Sequence, residues 1–187
     1  MLEQHYLTSL FEPKSVAVIG ASERENSVGS IIFKNILDAG YKGRLYAINP
    51  KHETIHGVQA HASIEEIGAR VELAVICTRP QTVPAIVEQC GRSGIKNVIV
   101  ITAGFAEAGH SGAALERKML EIARSYNVRV LGPNCLGVIR PTLGLNATFA
   151  KVTANAGNLA LVSQSGAMCS AVLDWAKANG VGFSTVI

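Results

Sequence analysis

The sequence predicts an α/β protein built on a doubly wound parallel sheet, and three observations support this. Short apolar runs alternate with segments of helical periodicity along the first 131 residues. The apolar runs show no polar alternation, which is typical of strands that are buried on both faces. With 48% hydrophobic and 17% charged residues, the 187-residue chain can also bury a large core.

Five strands are expected in this sheet, and we predict the order 3-2-1-4-5 for them. Helical crossovers between parallel strands are right-handed, so helices should cover both faces. Such sheets bind ligands beyond the carboxyl ends of the strands, where the strand order reverses. The strands are predicted at residues 16–20, 44–48, 73–77, 97–101 and 128–131.

Three helices connect most of these strands. In the first helix, Val28, Ile32 and Ile36 recur at helical spacing and should face the core. A shorter helical turn is expected where Ser63 and Glu66 match a capping box. The three helices are predicted at residues 28–39, 81–93 and 111–126.

The pattern changes after Leu131, which indicates a second domain. We place the first domain at residues 1–150 and the start of the second at residues 151–187. A single β-α-β unit is too small for a core of its own, so we expect this domain to continue beyond Ile187. The predicted segments are short extended stretches at 136–140 and 145–149, a connector at 151–158, a strand at 159–163, a helix that reaches Ala178, and a strand at 181–187. In this helix we expect four side chains to face inward: Met168, Val172, Trp175 and Ala176.

The loop after the first strand carries the clearest chemical signal. Residues 16–29 read VAVIGASERENSVG, which is a buried strand, a tight turn and a helix start in that order. The first N–H groups of a helix and the positive end of its dipole favour an anionic phosphate. The sequence therefore predicts a nucleotide-like ligand here, with a tight turn that binds nothing as the alternative.

The end of the second strand narrows the choice of ligand. A dinucleotide fold shows GxGxxG and an acidic residue after its second strand, and this chain shows neither. Instead it has Lys51, which suits a phosphate on the ribose, as in NADP or coenzyme A. A solvated turn lysine remains the alternative for Lys51.

Composition excludes several functional classes. The net charge of +3 is small and scattered, and aromatic residues make up 5%, so nucleic acid is not an expected partner. No apolar run approaches the roughly 20 residues of a membrane span, and the N-terminus lacks a signal-peptide pattern. We expect a cytoplasmic protein with four free cysteines, no metal site, and solvated loop histidines at His52, His56 and His61.

Six motifs lie in order across nearly the whole chain: FEPKSVAVIGAS, YAINPKH, VIVITAGFAE, LGPNCLGVIRP, GLNATF and LALVSQSGAM. Together they resemble the coenzyme-A-binding part of NDP-forming (ADP-forming) acyl-CoA synthetases, and more distantly the α subunit of succinyl-CoA synthetase. The resemblance implies a Rossmann-like domain that binds coenzyme A, followed by the first β-α-β unit of a flavodoxin-like domain.

The resemblance also implies a role for each loop. The opening loop would hold the phosphates of coenzyme A, Lys51 would lie near the adenosine 3′-phosphate, and the pantetheine arm would run towards a thiol end at Asn134 and Cys135. The helix after Ser165 would help to hold a phosphorylated histidine that lies beyond Ile187. The implied coenzyme-binding residues are Gly20, Ala21, Ser22, Asn26, Ser27, Val28, Lys51, Thr78, Arg79, Thr102, Ala103, Gly104, Asn134 and Cys135, and the implied phosphate-binding residues are Ser163, Ser165 and Gly166.

Structural alternatives stay open for three of these residues. Cys135 could be a packed thiol or a nucleophile, since sequence distance does not exclude a histidine partner. Arg79 could form a surface ion pair instead of a ligand contact. Ser165 could act only as the N-cap of the helix that follows it.

The implied reaction joins a small carboxylic acid to coenzyme A with ATP, through an acyl phosphate and a phosphohistidine. This chain would bind coenzyme A or acetyl-CoA, whereas ATP or ADP and Mg²⁺ would need downstream domains or a β-like ATP-grasp subunit. Three alternatives remain: the coenzyme-sensing body of a protein lysine acetyltransferase, a stand-alone coenzyme-A-binding module, and an NADP oxidoreductase.

Overall fold

A computed structural model describes residues 7–187, which form two sheets and five α-helices. The strands, in chain order, are β1 (Ser15–Ile19), β2 (Arg44–Ile48), β3 (Thr54–Ile55), β4 (Val58–His61), β5 (Leu73–Ile76), β6 (Asn97–Val100), β7 (Arg129–Leu131), β8 (Gly137–Arg140), β9 (Leu145–Thr148), β10 (Asn155–Leu161) and β11 (Gly182–Val186). The helices are α1 (Thr8–Phe11), α2 (Val28–Asp38), α3 (Val83–Arg92), α4 (His110–Ser125) and α5 (Gly166–Ala178).

The first sheet confirms the doubly wound parallel fold. Its seven strands have the order β3-β4-β2-β1-β5-β6-β7. Every residue of β1 is buried, as its unbroken apolar run predicts. One face of the sheet packs against α2 through Ile32, Phe33 and Ile36, and the other packs against α3 and α4 through residues such as Val87 and Met119.

The predicted strand order is wrong, because a short hairpin that we did not predict lies beside β2. Strands β3 and β4 pair antiparallel, and β4 also pairs parallel to β2 with Ala47 opposite Ala60. This short hairpin occupies the place beside β2 that we assigned to the strand at 73–77. That strand, β5, pairs with β1 on its other side, so the five predicted strands lie in the order 2-1-3-4-5.

Two local predictions in the first domain are also wrong. Val28 is the first residue of α2 and is 41% exposed, so it does not share the buried face of Ile32 and Ile36. The capping box does not form either, since the chain makes a tighter 3₁₀ turn. There the Glu66 carboxylate accepts the N–H of Ala62 (2.9 Å), one residue before Ser63.

The second sheet has the order β10-β11-β8-β9. Strands β10 and β11 are parallel and are joined by α5, while β8 and β9 form an antiparallel hairpin. The predicted β-α-β unit is therefore present, although β10 begins at Asn155 within the segment that we predicted as a connector. It shares a core with the hairpin, in which Leu136 and Ile139 pack with Cys169, Leu173 and Phe183. A domain boundary at residue 150 stays a prediction.

The predicted inner face of α5 is correct for Ala176, which is buried, and for Val172, which packs against the same core, but it is wrong for Met168 and Trp175. Cys169, Leu173 and Ala176 are buried, whereas Met168 and Trp175 are 57% and 59% exposed. Both sets recur at helical spacing, so periodicity alone could not choose between them. The buried face is the one that packs against Ile139 of β8 and Phe183 of β11.

Two side chains, Asn35 and Arg140, link the second sheet to the helices α2 and α1. The Asn35 amide of α2 donates to the carbonyls of Thr148 (2.8 Å) and Ala150 (3.0 Å) beside β9. The Arg140 guanidinium of β8 donates to the carbonyls of Phe11 (2.9 Å) and Ser184 (3.1 Å), and it also contacts the Glu12 carboxylate. None of the helices in residues 7–187 is long and apolar enough to cross a membrane.

Candidate functional site

The predicted site residues lie in loops that follow the carboxyl ends of β1, β2, β5, β6, β7 and β10. In the first sheet these ends share one edge. Neighbouring strands are about 4.8 Å apart, so the edge from β2 to β7 is about 19 Å long over four spacings. This length suits an extended ligand.

The opening loop is held by backbone and side-chain hydrogen bonds. Gly20 has a φ of +91° and donates its N–H to the carbonyl of Ile48 (3.0 Å), so that N–H is used in the sheet. Ala21 is fully buried, and its carbonyl accepts the side-chain amide of Asn49 (2.7 Å). The Ser22 hydroxyl accepts the N–H of Arg24 (3.0 Å). An anion bound here would therefore need donors other than the Gly20 N–H.

The N-terminus of α2 provides such donors. Ser27 is the N-cap, and its hydroxyl accepts the N–H of Ser30 (3.3 Å). The first helical bond runs from the N–H of Ile31 to the carbonyl of Ser27 (3.0 Å). The N–H groups of Val28 and Gly29 thus precede the helical ladder and point out of the helix end. Asn26, with a φ of +60°, turns the chain into this end.

Two cations lie on the same edge. Lys51 follows β2, is exposed, and donates its backbone N–H to the side-chain oxygen of Asn49 (2.9 Å). Arg79 follows β5 and is also exposed. Within residues 7–187 neither side chain is in an ion pair, so the surface ion pair considered for Arg79 does not form.

Hydrogen bonds connect the loops after β5, β6 and β7 in sequence along the edge. The Thr102 hydroxyl donates to the carbonyl of Thr78 (2.8 Å), and the N–H of Asn134 donates to the carbonyl of Thr102 (3.0 Å). At the other end, a Cβ placed on Gly20 would lie 3.0 Å from Cγ2 of Thr78. The structure therefore brings Gly20, Thr78, Thr102 and Asn134 into one continuous line.

The loop after β6 contains a carboxylate that the sequence analysis missed. Ala103 precedes Gly104, whose φ is +103° and whose N–H donates to Oε1 of Glu107 (2.6 Å). That N–H lowers the pKa of the Glu107 carboxyl below its ordinary value. The Gly104 N–H is thus engaged by the protein itself.

Cys135 is a packed thiol. Its sulfur donates to the carbonyl of Val100 (3.4 Å), and burial raises its pKa to about 11. Burial, followed by the proximity of Cys135, raises the pKa of the Cys77 thiol to about 12. A nucleophilic cysteine needs a lowered pKa, so the geometry favours the interpretation of Cys135 as a packed thiol.

We expect Cys135 to react slowly with iodoacetamide at pH 8. A pKa of about 11 in place of 9.0 lowers the thiolate fraction about 100-fold. The measurement is the alkylation rate of Cys135 by mass spectrometry, in the native chain and in urea. The unfolded chain deprotonates first, so folding stability should fall as the pH rises from 9 towards 11. Equal alkylation rates in both states would contradict the buried, protonated thiol.

A cavity of about 800 Å³ lies where the two sheets meet. Its walls include Asn134 and Cys135 from the turn after β7, and Ser163 and Gly166 from the turn after β10. Ser165 is confirmed as the N-cap of α5, because its hydroxyl accepts the N–H of Met168 (3.2 Å). The cavity thus joins the predicted thiol end to the predicted phosphate-binding turn.

Of the histidines predicted to be solvated, His56 is exposed but has side-chain partners, and His61 is half-buried in a strand. Nε2 of His56 lies 2.9 Å from the Ser30 hydroxyl, and its ring stacks on Phe33. His61 belongs to β4 and packs edge-on against Tyr46. The missed signal was the dipeptide His56-Gly57, where both residues have a positive φ, as a two-residue hairpin turn requires.

Comparisons with known proteins give matches over nearly the whole chain. Residues 14–141 match the family model described as CoA binding domain, and residues 156–187 match the one described as succinyl-CoA ligase like flavodoxin domain. Acetate–CoA ligase (ADP-forming) I of Archaeoglobus fulgidus is 48% identical over 178 residues, which cover 95% of this chain and 26% of that protein. The α subunit of acetate–CoA ligase (ADP-forming) I of Pyrococcus furiosus is 41% identical, over 97% of this chain and 40% of that subunit.

A solved structure is similar over the same extent. Dinucleotide-forming acetyl-coenzyme A synthetase 1 of Ca. Korarchaeum cryptofilum, in complex with phosphate and ADP, matches with a TM-score of 0.92 and 36% identity. The match covers 97% of this chain and 39% of that chain. The chain therefore spans between about a quarter and two fifths of the length of these relatives.

Proposed function

The chain belongs to the CoA-binding domain family, and from this premise we propose that it binds coenzyme A along the carboxyl edge of its first sheet. The observation that carries the proposal is the continuous line of loops from Gly20 to Asn134, which ends at the cavity beside Ser163. One extended ligand with an anionic end and an amide-rich arm fits such a line.

The donors at the start of the line fit the pyrophosphate. The N–H groups of Val28 and Gly29 and the dipole of α2 favour negative charge, and the Ser27 hydroxyl fixes the helix end. Gly20, Ala21, Ser22 and Asn26 shape the loop that leads to these donors, although the Gly20 N–H belongs to the sheet.

Lys51 and Arg79 provide the positive charge beside the adenosine half of the ligand. Lys51 follows β2, next to the opening loop, where the family resemblance implies the 3′-phosphate. Arg79, beside Thr78, borders the path from the adenosine to the pantetheine arm. An exposed lysine free of an ion pair loses little by contacting a phosphate.

The pantetheine arm then passes the loops after β5, β6 and β7. Thr78, Thr102, Ala103 and Gly104 line its path with small residues and backbone groups, which allow close approach. Its thiol reaches the cavity at Asn134 and Cys135, where it can act as the acyl acceptor when bound. Since the Cys135 thiol is protonated, its part is packing and orientation.

The turn after β10 holds a phosphate across the same cavity. The first helical bond of α5 runs from the N–H of Cys169 to the carbonyl of Ser165, so the N–H groups of Gly166 and Ala167 precede the ladder. Ser163 and Gly166 line the cavity, and Ser165 caps the helix. A phosphoryl group held here would lie close to the coenzyme thiol.

For the whole protein we propose ADP-forming acid–thiol ligase activity on a small carboxylic acid. The acyl phosphate, the phosphohistidine, ATP or ADP and Mg²⁺ would involve parts that this chain does not contain. The two curated relatives described above are named as ligases, which favours this activity over a protein acetyltransferase.

Lys51→Ala should weaken coenzyme A binding about tenfold, which corresponds to one charged phosphate contact of about 1.4 kcal/mol. Binding of dephospho-coenzyme A, which lacks the 3′-phosphate, should be unchanged. Isothermal titration calorimetry with both ligands measures this difference, and Lys118→Ala, on the exposed face of α4, is the matched control.

Two outcomes would contradict the proposal in different ways. An equal loss of affinity for coenzyme A and for dephospho-coenzyme A would show that Lys51 does not contact the 3′-phosphate. Binding of NADP in preference to coenzyme A by the unaltered chain would overturn the choice of ligand.

A further inference from the structure

We propose that His56, in the turn of the β3–β4 hairpin, is a positioning residue that orders the phosphate loop before the ligand binds. This inference rests on the proposed binding of coenzyme A and adds a residue that is not expected to touch the ligand. The proposal rests on the observation that one residue of a separate hairpin is bonded to two residues, Glu23 and Ser30, of the segment from Gly20 to Ser30.

The first bond reaches the loop itself. The backbone N–H of His56 donates to Oε1 of Glu23 (2.8 Å), three residues after Gly20. This bond holds the Glu23 carboxylate, which directly follows the Gly-Ala-Ser turn, against the hairpin. A carboxylate released towards the helix end would repel a phosphate bound there, so the position of Glu23 affects the affinity of the loop for anions.

The second bond reaches the first turn of α2. Nε2 of His56 lies 2.9 Å from the hydroxyl of Ser30, which is only 7% exposed. The imidazole ring also stacks on Phe33, with ring centroids 6.3 Å apart and planes at 18°. Because Ser30 and Phe33 lie on the buried side of α2, the histidine fixes the end of the helix that presents the Val28 and Gly29 N–H groups.

The hairpin is itself firmly attached. Ile55 is fully buried in the core cluster that contains Phe33, and β4 is hydrogen-bonded to β2. The N–H of Asn49 donates to the carbonyl of His61 (2.9 Å), and the Asn49 side chain in turn holds the carbonyl of Ala21. The hairpin thus holds the loop at Ala21, Glu23 and Ser30, and a loop ordered in advance loses less entropy on binding.

His56→Asn separates the positioning role from the turn. Asparagine tolerates a positive φ and Asn-Gly suits this turn, so the hairpin should persist. Its shorter side chain loses the Ser30 bond and the ring contact. We expect coenzyme A to bind about fivefold more weakly, as the loss of one hydrogen bond implies. Binding of pantetheine, which lacks every phosphate, should not change.

Ser30→Ala provides a second test from the other side of the bond. It should weaken coenzyme A binding by a similar factor, and the double variant should bind no more weakly than either single one. His110→Asn, at the exposed start of α4, is the matched histidine control.

The outcomes discriminate between the two proposals. If the unaltered chain fails to bind coenzyme A, the proposed function is wrong. If the unaltered chain binds coenzyme A and the His56→Asn variant binds it equally well, the positioning role is wrong. The role is also wrong if the variant loses affinity for coenzyme A and for pantetheine by the same factor. The role would also be overturned if the loss of coenzyme A affinity in the double variant equalled the product of the two single losses.

Discussion

Replacing Gly29 with alanine should destabilise the chain by about 3 kcal/mol, the upper part of the range for overpacking a tight contact. A Cβ at this position would lie 1.9 Å from the carbonyl oxygen of Gly20 and 2.9 Å from its carbon. Both are backbone atoms, so α2 would have to move away from the end of β1. Its Ile32, Phe33 and Ile36 are fully buried and would move with it.

Thermal unfolding followed by circular dichroism measures this effect. For a chain of this size, about 3 kcal/mol corresponds to a fall of roughly 6–12 °C in Tm. Gly166→Ala is the control for stability, because its Cβ would meet only Leu136, at an ordinary 3.7 Å. An unchanged Tm for Gly29→Ala would show that the helix does not lie this close to the loop.

Gly20→Val should reduce the affinity for coenzyme A by more than tenfold. The φ of +91° is unfavourable for valine by about 1–2 kcal/mol. The new Cβ would also lie 3.0 Å from Thr78 and 3.1 Å from the backbone of Cys77. The side chain would therefore disturb the line of loops through its contacts with Thr78 and Cys77.

Calorimetry with coenzyme A tests this prediction on a folded variant. Gly68→Val is the matched control, since Gly68 also has a positive φ (+63°) but has open space around it. It should lose stability and keep its affinity. A folded Gly20→Val chain that binds coenzyme A as tightly as the parent would refute the role of this loop.

Strands β1, β5 and β6 could be predicted because each contains a continuous apolar run that is buried along its length. Ser15–Ile19 and Leu73–Ile76 are buried along their whole length, and such runs have few other structural interpretations. The β3–β4 hairpin could not be found in this way. Its strands have two and four residues, too short for any periodicity, and its turn contains a histidine where asparagine is the usual signal.

The candidate site likewise has some features that the sequence predicts and others that it does not. Loops at the carboxyl ends of strands are placed by topology, so Thr78, Thr102 and Asn134 could be expected near one another. Contacts that depend on side chains from distant segments could not. Nothing in the local sequence indicates that Asn49 holds Ala21 or that His56 reaches Ser30.

The two bonds from Asn35 have a consequence for how the chain unfolds. They join the middle of α2 to the end of β9, so the helix that presents the phosphate-binding N–H groups is also anchored to the second sheet. Separating the β8–β9 hairpin from α2 would leave a half-buried amide without its acceptors, and such losses are costly. The two sheets should therefore melt cooperatively, as a single folding unit.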